Sequence, residues 1–265
     1  MAHFPGQRVQ LHRAISKLGW GSRTQARDWI RSGQVRVDGR VVTEPLTWID
    51  LADQRISRDG QEPIPVPRCT IALNKPKGII TTRSDERQRK TVYDLLPADI
   101  AWLFPAGRLD ADSEGLLILT NDSDLAVRLT EPAHHIRKAY HVTIRGTPTS
   151  EIIRKLRDGI VLSDGPTRPA RVRILHGDEK NSVVEMILSE GRNRQIRRMW
   201  STFGHKVYTL VRVAIGNYQL GDLPAGSFRT LDPMDIAKLL GKPKVALSYR
   251  SVSPSADGNI PGKTR

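Results

Sequence analysis

Pro63, Pro65 and Pro67 constrain the folding of this chain more than any other feature. Proline has no N–H to give to a strand ladder and its ring fixes φ, so three in alternation favour an extended, semi-rigid path over regular structure. The chain therefore reads as two folded parts, residues 1–62 and 70–241, joined by a linker over 63–69. Beyond Gly241 it turns to Ser, Pro, Gly and Lys with few large apolar residues, which predicts a disordered basic tail over 242–265.

In the first part, Leu11, Ile15 and Leu18 recur at helical spacing and Gly19 follows as a stop. Ser22-Arg23-Thr24-Gln25 matches a capping box, so a second helix begins there, with Ala26, Trp29 and Ile30 on its apolar side and an end at Gly33. Val35-Arg36-Val37 and Arg40-Val41-Val42 flank Asp38-Gly39, a tight-hairpin signal. The predicted order is helix, turn, helix, hairpin. Arg23, Arg27 and Arg31 fall at i, i+4 and i+8 on the second helix, with no acidic residue at i+4 to pair with them. Such a stripe is either a solvated face or a phosphate-contacting one.

From Thr70 onward strand-like and helix-like pieces alternate without a regular repeat. Strands are predicted at 70–74, 79–82, 140–144, 170–175 and 183–188, and helices at 91–96, 122–129, 150–156, from 193 to 204, and from Asp232-Pro233 to Leu240. This irregular order predicts an α+β domain with a mixed, mainly antiparallel sheet rather than a doubly wound one.

Charge narrows the function. Forty-two Lys and Arg against 28 Asp and Glu leave a net charge of +14, which suits a polyanionic partner, nucleic acid or an acidic membrane surface. No apolar run is long enough to span a membrane and the N-terminal residues lack a signal-peptide core, so a cytoplasmic protein without membrane attachment is expected. The single cysteine, Cys69, excludes an internal disulfide and a cysteine-cluster zinc site.

Two dense stretches carry the chemistry. Gly107-Arg108-Leu109-Asp110-Ala111-Asp112-Ser113-Glu114-Gly115 sets three carboxylates at alternate positions before Leu116-Leu117-Ile118-Leu119-Thr120, a run that reads as a buried strand. It is a polar turn feeding the core, a carboxylate site for a divalent cation, or a single reacting carboxylate in a basic setting. The other is Glu190-Gly191-Arg192-Asn193-Arg194-Gln195-Ile196-Arg197-Arg198-Met199, whose apolar positions predict a helix with four arginines at its start. As a solvated face this would repel itself; beside phosphate or carboxylate it is favourable.

These residues carry a resemblance. Gly19-x-x-Ser22-Arg23-x-x-Ala26, with Ile30, Gly33, Val35 and Val37-Asp38-Gly39, resembles the S4 RNA-binding domain. Asn74-Lys75-Pro76-Lys77-Gly78, Gly107-Arg108-Leu109-Asp110, Lys138-Ala139-Tyr140 and Gly191 to Arg198, in that order, resemble the motifs of bacterial ribosomal RNA pseudouridine synthases. The similar branch is the small-subunit synthase A-like one, which joins an S4 domain to the synthase domain. The resemblance implies isomerisation of uridine to pseudouridine on a flipped-out nucleotide, with no cofactor and no metal. It implies Asp110 as the catalytic carboxylate, Arg197 as its ion-pair partner and Tyr140 against the target base. Lys75, Arg108, Arg192 and Arg194 are implied as RNA-backbone or pocket-support residues, and Arg23, Arg27 and Arg31 as S4-domain contacts. The expected partner is ribosomal RNA or a pre-ribosomal particle, with large-subunit RNA ahead of small-subunit RNA, and the protein is expected to be a monomer. A non-catalytic RNA-binding assembly factor is the other reading.

Overall fold

In the computed structural model, which describes residues 8–63, 66–83, 85–98, 100 and 102–241, the first apolar positions form one small core. Two of the expected linker positions, 64 and 65, and the expected tail over 242–265 lie outside the described residues. The N-terminal elements are β1 (Arg8–Gln10), α1 (Leu11–Lys17), α2 (Arg23–Arg31), β2 (Val35–Val37), β3 (Arg40–Val41), β4 (Trp48–Asp50) and β5 (Ile56–Arg58). Leu11, Ile15, Ala26, Ile30, Val35, Ile49 and Ile56 pack together between the helix pair and the strands. The capping box forms in full: Gln25 N–H donates to the Ser22 hydroxyl at 3.1 Å and Ser22 N–H to the Gln25 side chain at 2.9 Å. Asp38 and Gly39 take φ of 49° and 78°, as a two-residue hairpin turn requires.

Residues 67–69 are fastened to the larger part. Asn121 donates its side-chain amide to Pro67 O at 2.9 Å and accepts Cys69 N–H at 2.8 Å, while Arg68 pairs with Asp122 at 3.0 Å. Lys17 at the end of α1 reaches Asp124 at 3.3 Å.

The second part contains β6 (Thr70–Lys75), β7 (Phe104–Pro105), β8 (Glu114–Thr120), α3 (Ser123–Thr130), β9 (Lys138–Arg145), α4 (Ser150–Asp158), β10 (Val161–Leu162), β11 (Gly165–Pro166), β12 (Arg171–Gly177) and β13 (Asn181–Leu188). It continues with α5 (Gln195–Ser201), β14 (Val207–Ile215), β15 (Tyr218–Gln219), β16 (Phe228–Thr230) and α6 (Pro233–Leu240). A nine-stranded sheet runs β12-β13-β9-β14-β8-β6-β16, with β15 paired to β14 and β7 to β8 off this path. Every neighbouring pair is antiparallel except β14 with β8. That parallel contact in the middle joins two antiparallel halves and makes the fold the expected α+β type.

The β8 run is apolar without alternation because both its faces are covered. Leu116 and Ile118 pack with Leu125, Leu129 and Leu239 on one side, and Leu117 and Leu119 with Ile71, Leu73 and Val92 on the other. In the other half of the sheet, Tyr140, Val142 and Ile144 of β9 pack under α4 and α5, against Leu156, Met199 and the fully buried Trp200.

Three local expectations are corrected. No strand forms over 79–82; Ile80 makes one bridge to Thr91 and the Thr81 hydroxyl is drawn instead to Leu109 O. The helix at 91–96 is a short 3-10 turn, Val92–Leu95, closed by reciprocal Thr91 and Asp94 bonds. The arginine-rich helix starts at Gln195, two residues later than expected, because Arg194 takes a left-handed conformation with φ of 47°.

Candidate active site

Asp110 sits on an irregular turn that is nonetheless held at every step. Five consecutive carbonyls have partners: Leu109 O accepts the Thr81 hydroxyl at 2.8 Å, Asp110 O accepts Ser113 N–H at 3.0 Å and Ala111 O accepts Gly78 N–H at 2.7 Å. Asp112 O accepts Arg197 Nη2 at 2.7 Å, and Ser113 O accepts Lys75 Nζ at 2.7 Å. The turn enters β8 through Gly115, φ 98°, where a Cβ would strike the Arg212 carbonyl; only glycine lets the turn lie this close to β14. A reacting group fixed this way needs little reorganisation.

The arginine motif supplies the other side. Arg194 forks onto Asp112 with two bonds of 2.9 Å, and its Nη1 stands 3.7 Å from the Asp110 carboxylate. The Arg197 Nε lies 3.3 Å from Asp112, and its Nη1 donates to Val207 O at 3.1 Å. The bonds from Arg194, with the charge of Arg197 behind them, hold Asp112 below the usual carboxylate range. Arg198 forks onto Asp164 at 2.8 and 2.9 Å, and Arg192 donates to the carbonyls of Asp164, Gly165 and Pro166, so both arginines pin the β10–β11 hairpin.

A cavity of about 610 Å³ opens where the packing under α5 parts from the packing around α3. Tyr140, Leu188, Ile196 and Leu210 line it from one cluster, and Ala106, Leu129 and Ile215 from the other. Two carboxylates reach it. Glu190 is taken up by Gln195 at 2.6 Å and by Arg168 N–H at 3.0 Å, whereas the Asp110 carboxylate accepts no hydrogen bond among the described residues. At its sheet side stand Lys138, which burial and the charge of Arg212 pull down to about 8, and Arg212 itself. No group of three or more His, Cys, Asp or Glu side chains among the described residues is placed to hold a metal ion, and Asp112 is committed to arginines, which opposes the divalent-cation reading.

The family model for RNA pseudouridylate synthase matches residues 70–202, and that for the S4 domain matches residues 10–46. Over 236 residues, 87% of this chain and 95% of the relative, the chain is 36% identical to the ribosomal large subunit pseudouridine synthase B of Bacillus subtilis. The chain belongs to the RNA pseudouridylate synthase family. The synthase is also 39% identical over 235 residues to an uncharacterized RNA pseudouridine synthase of Mycobacterium tuberculosis, covering 87% of this chain and 92% of that one. A solved pseudouridylate synthase structure aligns with a TM-score of 0.64 and 32% identity, over 87% of this chain and 99% of its own.

Within the synthase, Asp110, Tyr140, Arg108, Arg192 and Arg194 all line the cavity. Two expectations change. Arg197, expected to pair with Asp110, bonds Asp112 instead, because its short helix points the guanidinium under the turn, and Arg194 is the arginine beside Asp110. Lys75, expected at the RNA backbone or as a pocket support, is fully buried, with burial pulling it down to about 8 and its ammonium given to Pro76 O and Ser113 O, which leaves the support role. Arg192 is turned onto the β10–β11 hairpin and Glu190, which makes it a support of the cavity wall. Arg108 is exposed and makes no hydrogen bond or ion pair among the described residues.

On the S4 domain, Arg23, Arg27 and Arg31 are exposed along α2 and form no ion pair among the described residues. Burial and the nearby charges of Arg13 and Arg27 depress the Arg23 guanidinium, a sign of cations crowding one face. Sequence reasoning assigns no role to Lys138 or Arg212, although each carries a signal, a cation within an apolar strand pattern. Among the described residues no helix is long and apolar enough to cross a membrane.

Proposed function

We propose that this synthase converts a uridine of large-subunit ribosomal RNA to pseudouridine, with Asp110 as the reacting carboxylate. The observation that carries this reading is the Asp110 carboxylate itself: it enters the cavity from a fully bonded turn, 3.7 Å from Arg194, and no protein hydrogen bond among the described residues occupies it. Isomerisation breaks the N1–C1′ bond, turns the base and joins C5 to C1′; the C5 proton is released and N1 gains one, so no atom enters or leaves. Asp110 either meets the electron-poor C1′ or adds to the base, and Arg194, 3.7 Å away, helps to aim it. Tyr140, buried in the wall on β9, packs against the extruded base. Arg108 at the rim takes an RNA phosphate, Arg194 supports the pocket through Asp112, and Arg197 positions the turn through Asp112 O.

Residues 1–62 act as the docking module, with Arg23, Arg27 and Arg31 on phosphates, and residues 70–241 as the catalytic one. The preference for large-subunit RNA rests on the Bacillus subtilis relative, named for that subunit. The protein works in the cytoplasm as a monomer, on ribosomal RNA or its assembling particle. Chemical mapping of pseudouridine in both ribosomal RNAs, with and without the gene, tests this. One large-subunit position is expected to lose its signal; loss in the small-subunit RNA instead would move the substrate, and no loss anywhere would overturn the reading.

A further inference from the structure

Arg212 is 5% exposed and lines the cavity, yet its Nη2 has no hydrogen-bond partner among the described residues. Its Nε is spent on Leu116 O at 2.7 Å, which fixes the guanidinium in place. It pairs in register with Tyr140 across β14 and β9, so the two side chains share a face of the sheet. A bulge between Arg212 and Ala214 then shifts the strand by one residue, which brings Ile215 to the same face, opposite Lys138. Neither Arg212 nor Lys138 forms an ion pair among the described residues, and Lys75 is a third cation close to Arg212.

Buried cations without a counter-charge are costly, and removal from water strengthens their pull on any anion that enters. The walls beside them, Leu188, Ile196, Leu210 and Ile215, are apolar and suit a flat heterocycle rather than a hydrated phosphate. Charge free to meet phosphate is already present at the exposed Arg108.

We propose that Arg212 Nη2, with Lys138 Nζ, receives the negative charge that develops on the carbonyl oxygens of the uracil base during the isomerisation. The inference rests on the synthase reading above and assigns the base-activating donors of that same cavity. When N1–C1′ breaks, its electron pair leaves with the base and the charge spreads over N1, O2 and O4. If the Asp110 carboxylate first adds to C6 of the base, the charge moves onto O4, and the Asp110–C6 bond breaks again once C5 has bonded to C1′, which restores the carboxylate. Either route loads a carbonyl oxygen, and the charge is discharged when C5 bonds to C1′, the C5 proton leaves and N1 takes up a proton. Fixed cationic donors in a water-poor site are suited to that transient charge.

Single-turnover rates on a ribosomal RNA fragment that the wild type modifies, measured beside RNA affinity, test the assignment. Arg212→Gln is expected to slow the step at saturating RNA by about 10²–10³-fold, in line with removal of one transition-state donor. Arg212→Lys, which keeps the charge, is expected to recover at least about tenfold of that, and Lys138→Met to lose about tenfold. RNA affinity is expected to stay within about twofold of wild type in all three. If Arg212→Gln does not fold, Lys138→Met and Arg212→Lys decide. Rates within about twofold of wild type for Lys138→Met would overturn the proposal, as would losses appearing as weaker RNA binding, which would make the pair a phosphate anchor. A wild type that forms no pseudouridine on any ribosomal RNA would overturn the synthase reading itself, a result that no Arg212 variant can mimic.

Discussion

The two arginine-rich helices look alike in sequence and differ in how their charge is used. On α2, Arg23, Arg27 and Arg31 stand on an exposed face with no ion pair among the described residues. Around α5, Arg192, Arg194, Arg197 and Arg198 all bond protein: hairpin carbonyls, Asp112, Asp112 O and Asp164. Unpaired surface arginines contribute affinity and salt dependence. Arginines bound to carboxylates and carbonyls contribute geometry. One set reads as a grip on the RNA backbone and the other as the frame that holds Asp110.

Arg197→Met should separate the two roles most sharply. It leaves Asp112 O and the Asp112 carboxylate short of a partner that is only 12% exposed. A turnover loss of about 10²-fold is expected from misplacement of the Asp110 turn, with RNA affinity nearly unchanged by filter binding. Joint replacement of Arg23, Arg27 and Arg31 by Gln should do the reverse. The slope of log affinity against log salt is expected to fall by up to about 2–3, at roughly 0.7–0.9 per lost phosphate contact, with the single-turnover rate at saturating RNA kept.

The frame itself predicts smaller effects. Asp112 titrates below its ordinary range because Arg194 bonds it, with Arg197 adding charge. Its stabilisation is therefore complete above the ordinary carboxylate range and is lost as pH falls through the lowered folded value. Asp112→Asn should melt about 2–4 °C below wild type at pH 7, as for a loss of about 1 kcal/mol in a half-exposed pair. That gap should close in acid, below about pH 4. Ser22→Ala, which removes the α2 cap, is expected to cost about 1 kcal/mol by denaturant titration and to leave the chemical step untouched.

Much of the molecule is legible in the sequence because local chemistry and tertiary context agree. The Ser22 capping box, the Asp38-Gly39 turn, the Asp122 and Asp232 caps and the continuous β8 run all form where their residue types demand. The features that sequence hides depend on contacts distant in the chain. The 79–82 segment has strand-like residues, but Thr81 bonds Leu109 O, 28 residues away, and no ladder forms. Alternation cannot show which carboxylate Arg197 meets, since the partner is set by a helix end 85 residues from Asp112. The run Val207–Ile215 is rich in β-branched residues, but its lack of strict alternation hides which face each residue takes, because two register shifts set the faces of β14 at the centre of the sheet and bring Arg212 to the cavity.

The most direct measurement is pseudouridine formation by Asp110→Asn, with RNA affinity taken on the same preparation. The carboxylate accepts no hydrogen bond among the described residues, and the turn beneath it is held by backbone carbonyls, so the change should leave fold and RNA grip intact. Turnover is expected to vanish while affinity stays within about twofold of wild type. Pseudouridine formed at a rate near that of wild type would contradict the assignment of Asp110 and, with it, the role of the arginine frame around α5.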